Sequence, residues 1–257
     1  KMSYTKQYMK LQFLGTGNAF SQSGDKPSCT LISYQKYNIL LDCGPSILQA
    51  LYENAIKPSE ITHIYISHLH PDHYIGLAFL YLDNFYITKR KSKIILYCPL
   101  QTKSKLQSLI DLLYDNDEID TTLLNDIYDF VEIDNEASLN TSFGTMKMIP
   151  SKHLDDSRIV ILTIDNHTIG YSGDTEFDSN LTQLLLDDCN LIIHEATTFD
   201  KKIIGHTNLK ELLTLEPNSD QLIFITHHDD TVISEFNEYN TNPNFILVKD
   251  NFIFEIE

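Results

Sequence analysis

The chain has 257 residues, of which 42% are hydrophobic and 11% aromatic, with only nine Gly and eight Pro. This composition excludes a disordered or fibrous protein, and the length suffices for a hydrophobic core that needs no disulfides. The formal net charge of −17 disfavours nucleic acids and acidic membranes as partners, because nonspecific binding to both depends largely on Lys and Arg.

Cysteine usage and hydropathy indicate a reducing compartment. Cys29, Cys43, Cys98 and Cys189 are widely spaced and form no CxxC pair. We therefore predict reduced, mostly buried thiols, not a disulfide framework or a thiolate zinc site. No apolar run approaches the roughly 18 residues of a membrane span, and the opening segment lacks the apolar region of a secretory signal. We expect a cytoplasmic location and no membrane association.

Strand and helix patterns alternate along the chain. The first part predicts strands over 11–14, 28–34 and 37–41, a helix over 45–57, a strand over 61–67 and an apolar helix over 74–85. A strand over 94–98, a helix over 101–114 and an acidic stretch, 115–120, follow. The second part predicts strands over 145–149, 158–164, 167–171, 191–194 and 222–226, with helices over 181–186 and 208–215. Gly15 and Gly17 predict a turn, since Phe20 stands where a phosphate loop would need its third Gly.

Each half places strands first and strand–helix alternations after them. This order predicts layered sheets covered by helices. Because no low-complexity linker interrupts the pattern, we predict an α/β fold of four layers, αββα, with residues 1–257 as a single domain and weak internal pseudo-symmetry.

The segment ISHLHPDHYIGL, residues 66–77, places three histidines and an aspartate within six consecutive positions at a predicted strand–helix junction. Because Pro71 forces an extended or turn conformation on His70, we expect His68, His70, Asp72 and His73 to converge around a loop. Imidazole and carboxylate are ligands for divalent metals, and four such groups would be costly to bury without compensation. We predict that the first two side chains serve one ion and the last two a second.

Three further candidate ligands follow predicted strands: His153, Asp174 and His227. Ligand sites in α/β sheets gather at strand ends, and seven candidates suffice for two ions. The non-enzymatic alternative is a metal-binding or scaffolding module. A structural zinc site is usually closed by four ligands, which disfavours that alternative.

The ordered set SHLHPDH, His153, SGDT, HEATTF, GHT and ITH resembles the metallo-β-lactamase superfamily and, within it, the ribonuclease Z-like branch of dinuclear zinc phosphodiesterases. HxHxDH is specific to the superfamily, and HEAT followed by Gly-His-Thr indicates the branch. The resemblance covers residues 11–227. It implies a four-layer αββα metallo-β-lactamase-like sandwich and two divalent metal ions, most often Zn²⁺, with Mn²⁺ or iron as alternatives. It also allows a homodimer.

The resemblance implies roles for the matched residues. It assigns His68, His70 and His153 to the first ion. It assigns Asp72, His73 and His227 to the second ion, with Asp174 as the bridge. A hydroxide between the ions would be the nucleophile, because two cations lower the pKa of a shared water and clamp the oxygens of a phosphodiester.

The implied catalytic residues are Asp72, His206 and Glu195. His206 would donate a proton to the leaving group, and Glu195 would orient its imidazole. Asp42 in LLDCG either supports the histidine segment or caps the following helix. We interpret His63, His194 and His228 as structural or surface residues.

Recognition features differ from those of the transfer-RNA-processing members. Only twenty residues, 154–173, separate two of the ligands, which leaves no room for the family's transfer-RNA-binding arm. Residues 25–28, DKPS, lack the Arg-Asn pair, and His228, Asp229 and Asp230 replace the Ser and Arg after the last histidine. The basic run of Lys89, Arg90, Lys91 and Lys93 is either a solvated loop or a substitute RNA contact.

We therefore predict a metal-dependent hydrolase of a small phosphodiester or related ester. The alternative is ribonuclease Z, a transfer-RNA 3′-processing endonuclease, although the acidic charge disfavours RNA as a partner. The HEAT and GHT motifs weigh against a β-lactam or thioester hydrolase.

Overall fold

The computed structural model describes residues 8–114 and 123–256, so the acidic stretch 115–120 lies outside the described residues. Within these two ranges, fourteen strands form two sheets. The first sheet contains β1 (Met9–Gly15), β2 (Cys29–Tyr34), β3 (Tyr37–Leu41), β4 (His63–Tyr65), β5 (Ile94–Pro99), β6 (Tyr128–Ile133) and β14 (Ile253–Ile256). The second contains β7 (Ala137–Asn140), β8 (Thr145–Pro150), β9 (Arg158–Ile164), β10 (His167–Tyr171), β11 (Leu191–Glu195), β12 (Leu222–Thr226) and β13 (Phe245–Leu247).

Helices cover the outer faces of both sheets. They are α1 (Ile47–Glu53), α2 (Pro71–Tyr74), α3 (Gly76–Leu82), α4 (Thr102–Leu113), α5 (Leu124–Ile127), α6 (Ser179–Asp188), α7 (Leu209–Leu212) and α8 (Asp230–Tyr239). A 3₁₀ turn spans Pro58–Glu60, and α3 continues as a π-helical turn over Asp83–Ile87. None of the helices in the described ranges has the length and apolar character needed to cross a membrane.

The two sheets follow the same plan. Their strand orders are β14-β1-β2-β3-β4-β5-β6 and β13-β12-β11-β10-β9-β8-β7. Each begins with an antiparallel meander and continues with parallel strands, from β3 in the first sheet and from β10 in the second. The predicted pseudo-symmetry in the order of elements is therefore present in the topology.

Three buried apolar clusters separate four layers. In β2 and β3, Leu31 and Leu40 pack under the helices of the first sheet, whereas Ile32 and Ile39 face the second sheet. Successive strand residues point to opposite faces, so a continuous apolar run fills two cores at once. The third cluster joins the second sheet to α6, α7 and α8. The structure confirms the predicted αββα sandwich.

Some predicted elements differ in extent. The strand predicted over 61–67 is restricted to β4, and the helix predicted from Tyr74 starts earlier, with α2 at Pro71. Asp72 and His73 therefore lie on a helical turn and not in the predicted loop, because proline also suits the first position of a helix, where no N–H is needed. The sequence analysis missed β6, β7, β13, β14, α5 and α8.

The sequence contains a capping signal for one of these elements, helix α8. The Asp229 side chain accepts hydrogen bonds from the backbone N–H groups of Thr231 and Val232 and so caps α8. Val232 and Phe236, four residues apart, supply the apolar face of that helix. The short strand β14, by contrast, follows from its pairing with β1 and not from its own pattern.

Candidate metal centre

The candidate ligands come from both sheets and meet at one edge of the sandwich. His68 and His70 follow β4, His153 lies between β8 and β9, and His227 directly follows β12. The sheets are joined close by, because the Tyr65 hydroxyl donates to the carbonyl of Arg158 at 2.7 Å and the Arg158 N–H donates to the carbonyl of Ser67 at 3.0 Å.

The side chains form two adjoining groups that match the predicted division. In each group the possible ligand atoms lie within 4.8 Å of one another. The first group is His68, His70, His153 and Asp174, and the second is Asp72, His73 and His227.

Asp174 lies between the two groups. Its Oδ2 is 3.7 Å from His68 Nε2 and 3.3 Å from His73 Nε2, and its Oδ1 is 3.5 Å from His227 Nε2. A carboxylate in this position can serve ions on both sides.

Several buried atoms at this centre make no hydrogen bond. His68 Nε2, His73 Nε2 and Asp174 Oδ1 are inaccessible to solvent and unbonded, although ring nitrogens and carboxylate oxygens of the centre approach one another to 3.2–3.7 Å. Buried polar atoms are normally satisfied, and leaving them unpaired is costly. Imidazole nitrogens and carboxylate oxygens that converge without partners are what a divalent cation requires, so the residues fit the implied metal.

The electrostatics also call for positive charge. Burial alone would raise the pKa of Asp174, but His227 and His73 hold it well below its usual value. Burial would lower the pKa of His73, yet Asp174 and Asp42 raise it well above the usual value. Burial and the neighbouring His73 keep the pKa of His68 low, so its imidazole is neutral. The carboxylates therefore demand a cation, either a proton on His73 or a divalent metal ion.

Partners outside the two groups hold the ring orientations. Four of the five histidines direct Nδ1 to a protein oxygen and leave Nε2 facing the centre. The contacts are His68 with Ser67 Oγ at 3.0 Å, His73 with Asp42 Oδ2 at 2.6 Å, His153 with the Gly205 carbonyl at 2.8 Å and His227 with Thr197 Oγ1 at 2.9 Å. His70 instead turns Nδ1 toward His153 Nε2, at 2.9 Å.

Asp42 acts as the support that one of the two sequence-based alternatives described. It is fully buried, and besides His73 it accepts from the N–H and hydroxyl of Ser67 at 2.7 Å and from the Tyr171 hydroxyl at 2.6 Å. The first residues of α1 receive no side-chain cap, so the helix-capping alternative is wrong. Burial and the charge of Asp42 raise the pKa of Tyr171, which keeps its hydroxyl protonated as a donor.

His206 lies beside the centre, next to Glu195. Its Nδ1 is 3.1 Å from Glu195 Oε1, and Asp174, His206 and His227 form a third group of possible ligand atoms. Burial would lower the pKa of His206, but the hydrogen bond to Glu195 and its charge raise the pKa to about 9. Glu195 is itself fixed by the Thr175 N–H at 2.8 Å and the Thr197 hydroxyl at 2.6 Å. The Glu195 carboxylate therefore favours the protonated form of the His206 imidazole.

The other histidines and the cysteines lie elsewhere. The rings of His63, His194 and His228 are buried and bonded to Thr62, the Glu195 carbonyl and the Val248 carbonyl. This confirms the structural interpretation. All four cysteines are free and buried, as predicted.

Sequence reasoning missed Tyr171, Thr197 and Gly205. Thr197 belongs to the HEATTF motif, which gave a signal that was not used. Tyr171 ends an ordinary apolar strand, and nothing in the sequence relates it to Asp42.

A cavity of about 310 Å³ opens above the centre. Its walls include His70, Asp72, Asp174, His206 and His227 from the centre. A larger groove of about 450 Å³ lies over β7–β10, but none of the residues lining it is a histidine. The chemistry, not the volume, identifies the site.

Comparisons with known proteins agree with this geometry. The family model described as "Anti-Pycsar protein Apyc1" matches residues 9–252. The Anti-Pycsar protein Apyc1 of Paenibacillus harenae is 26% identical over 232 residues, covering 87% of this chain and 91% of that protein. A ribonuclease Z of Methanococcus maripaludis (strain C6 / ATCC BAA-1332) is 27% identical over 281 residues, covering 91% of this chain and 86% of that protein.

Solved structures share the fold at low sequence identity. The metallo-β-lactamase fold protein YhfI from Bacillus subtilis superposes with a TM-score of 0.77 at 18% identity, covering 96% of this chain and 99% of that one. A diphosphatase from the PhnP family gives 0.75 at 15% identity, covering 97% and 98%. Zn²⁺-bound PqqB from Methylobacterium extorquens gives 0.70 at 10% identity, covering 95% and 99%. The predicted resemblance to the metallo-β-lactamase superfamily and its ribonuclease Z-like members is confirmed.

Proposed function

The chain belongs to the Anti-Pycsar protein Apyc1 family of metal-dependent hydrolases with the metallo-β-lactamase fold, and from this membership we propose that it is a phosphodiesterase acting on a small phosphodiester of the cyclic nucleotide class. The observation that carries the proposal is the placement of His206, hydrogen-bonded to Glu195, at a cavity over two groups of metal-ligand side chains. The cavity of about 310 Å³ is at the lower end of the range for small-molecule sites.

We propose two divalent ions, most often Zn²⁺, in this centre. His68, His70 and His153 would hold the first, Asp72, His73 and His227 the second, and Asp174 both. Bound there, the ions would lower the pKa of a water and stabilise negative charge on phosphate oxygens.

The chain's own groups then handle protons and orientation. The Nδ1 of His206 is hydrogen-bonded to Glu195 Oε1, so its Nε2–H is available to protonate the oxygen of the leaving group. Glu195 stabilises the imidazolium and fixes the ring, as a carboxylate does for any imidazole that carries a proton. Asp72 lines the cavity as an ionised carboxylate, since His227 and His73 lower its pKa against the effect of burial. We assign it a second role, as hydrogen-bond acceptor for the attacking water.

Ribonuclease Z is the second candidate, favoured by the similarity to the Methanococcus protein. Two features of the described residues weigh against it. Residues 154–173 are occupied by β9 and β10, which leaves no inserted arm between His153 and Asp174. In the basic run, the Arg90 guanidinium donates to the carbonyls of Pro58, Ser59 and Ile61 and is committed to holding that turn.

The test combines metal content with three substrates. Purified protein is loaded with Zn²⁺, its bound metal is counted, and it is assayed with bis-p-nitrophenyl phosphate, 3′,5′-cyclic nucleotides and a precursor transfer RNA. We expect two ions per chain and turnover of the two small diesters. A single ion in the fully loaded protein would refute the dinuclear centre, and efficient cleavage of the precursor at its 3′ end would favour ribonuclease Z.

Two variants test the assigned roles. His206→Ala should keep its metal and lose about 10²- to 10⁴-fold in kcat, the usual contribution of a positioned acid. Asp174→Ala should lose metal as well as activity. The matched control is His167→Ala, at the start of β10 and outside all three ligand groups, which should behave as wild type. Full activity in His206→Ala would remove that residue from the mechanism.

A further inference from the structure

We infer that Phe20 and Ile203 form an apolar clamp at the mouth of the cavity that stacks against the nucleobase of the substrate. This inference rests on the proposed function, and it concerns the organic group of the diester, whereas the metal ligands concern only its phosphate. It assigns a specificity-determining role to two residues that take no part in the chemistry.

The position of Phe20 is the first observation. The residue is 80% exposed, yet it lines the same cavity as Asp72 and His206. Ile203 lines the cavity from a different segment, three residues before His206. Two apolar side chains from distant parts of the chain thus flank the opening over the reacting centre, where a flat ring can lose water contact on its face.

The second observation is that the loop carrying Phe20 is anchored. The Asn18 side chain is buried, and its Oδ1 accepts a hydrogen bond from the Phe20 N–H at 3.0 Å. The Asn18 N–H donates to the carbonyl of His228 at 3.3 Å, next to the candidate ligand His227. Gly17 N–H also donates to the carbonyl of Lys26 at 2.8 Å. These hydrogen bonds therefore fix the position of Phe20 relative to the metal centre, although the residue is exposed.

The third observation concerns the polar groups available to a base. Among the described residues that line the cavity, the polar side chains are those of the metal centre, Thr197, His206 and Asn18. The Thr197 hydroxyl donates to Glu195, and Asn18 uses its carbonyl oxygen on the loop. The Asn18 NH₂ group remains for the hydrogen-bonding edge of a base, whereas stacking uses the π-face that every base has. The contribution of the clamp therefore depends on the presence of a base and can be measured with a substrate that has none.

Steady-state kinetics test the clamp. Substrates are 3′,5′-cyclic nucleotides with each of four bases and a methyl riboside cyclic phosphate that has no base. Phe20→Ala should raise KM for the nucleotides by about 5- to 150-fold, the usual effect of removing one base–aromatic stack. The kcat of Phe20→Ala should stay within about twofold of wild type, and so should its KM for the substrate without a base. Phe20→Tyr, which keeps an aromatic ring, should have the wild-type KM for the nucleotides.

The chain offers matched controls. Ile203→Ala should raise KM for the nucleotides, whereas Ile204→Ala should not, because the neighbouring Ile204 is 90% exposed and does not line the cavity. Phe79→Ala removes another partly exposed Phe, in a separate groove beside Leu48 and Ile87, and should leave KM unchanged.

A binding measurement gives a readout independent of turnover. The sequence contains no Trp, so Phe20→Trp places a single indole at the mouth. Adding a hydrolysis-resistant phosphorothioate cyclic nucleotide should quench its fluorescence, and Phe79→Trp should not respond.

The failures are distinguishable. No hydrolysis of any small diester by wild type refutes the proposed function. If the wild type hydrolyses small diesters, two results refute the clamp alone. One is that Phe20→Ala changes KM equally for substrates with and without a base. The other is that the fluorescence of Phe20→Trp does not respond to the nucleotide.

Discussion

Replacing Asp42 by Asn tests whether the buried carboxylate sets the metal-binding form of His73. The change conserves size and suits the backbone, because Asp42 has a φ of 60° and Asn is among the residues that tolerate this region. It removes the negative charge and replaces one carboxylate oxygen by an NH₂ group. Three donors converge on Oδ2, from Ser67, His73 and Tyr171, and the Ser67 N–H faces Oδ1.

The magnitude follows from these four hydrogen bonds. The best arrangement of Asn keeps its oxygen toward the three converging donors and turns its NH₂ toward the Ser67 N–H. One buried donor then loses its acceptor, at about 1–3 kcal/mol, and three hydrogen bonds to a charged oxygen become neutral and lose about half their strength. The free energy of unfolding of the metal-free protein should fall by about 3–7 kcal/mol.

Metal affinity should fall as well. In the metal-binding form, His73 would carry its proton on Nδ1, which faces the Asp42 carboxylate, and would present Nε2 to the centre. Asn holds that tautomer less firmly, and losing such a partner costs about 10- to 100-fold in affinity, or about 1.4–2.7 kcal/mol. Competition with a chromophoric chelator measures the affinity, and urea unfolding of the metal-free protein measures the stability.

Asp83→Asn is the matched control. Asp83 is also a buried carboxylate and accepts from the hydroxyls of Tyr52 at 2.7 Å and Thr88 at 2.6 Å, outside the metal centre. It should lose stability and keep wild-type metal affinity. If Asp42→Asn likewise binds metal as tightly as wild type, Asp42 is a structural residue and the argument about the His73 tautomer is wrong.

Three further predictions concern stability. Gly205→Ala should unfold more easily and bind metal more weakly than Gly24→Ala. Both glycines have φ near 85°, but only at Gly205 would the new Cβ meet His153, 2.6 Å from its Nδ1. Equal urea midpoints and metal affinities of the two variants would contradict this. Burial lowers the pKa of His63 to about 4, so as the pH falls the unfolded chain takes up a proton at His63 before the folded chain does. The stability that is present above pH 6.5 should therefore be lost as the pH falls toward 4, by up to about 3 kcal/mol. Urea unfolding across that range should show a shallower dependence of stability on pH in His63→Gln. Chelation should lower the melting temperature, and re-added Zn²⁺ should restore it, since metal at 100 times its Kd stabilises the folded protein by about 2.7 kcal/mol. An unchanged melting temperature after chelation would mean that the centre binds no metal.

The sequence was sufficient wherever the signal was local. Three histidines and an aspartate around Pro71 predict a metal centre, because such groups are costly to bury together without a cation. The apolar runs of β2, β3, β9, β10 and β12 predict strands buried on both faces. Motif order then gave the superfamily and the four layers, which the structure and the comparisons confirm.

Proline has two local effects, and the structure contains both. Pro71 keeps His70 extended, as predicted, and it also begins α2, which the expectation of a loop left out. Gly76 approaches the carbonyls of Gly44 and Cys43 so closely that no Cβ would fit, so the first residue of α3 packs directly on the segment before α1.

What the tertiary structure alone decided is the set of groups around the ligands. Asp42 and Tyr171 meet across 129 positions of sequence and from different sheets, so no periodicity relates them. Phe20 reaches the cavity because Asn18 binds a segment more than two hundred residues away. The sequence by itself determined which side chains can hold a metal, because that depends on residue type and local spacing. Their ring orientations, their charge and the walls of the cavity depend on contacts between distant segments, which exist only once the two sheets have packed.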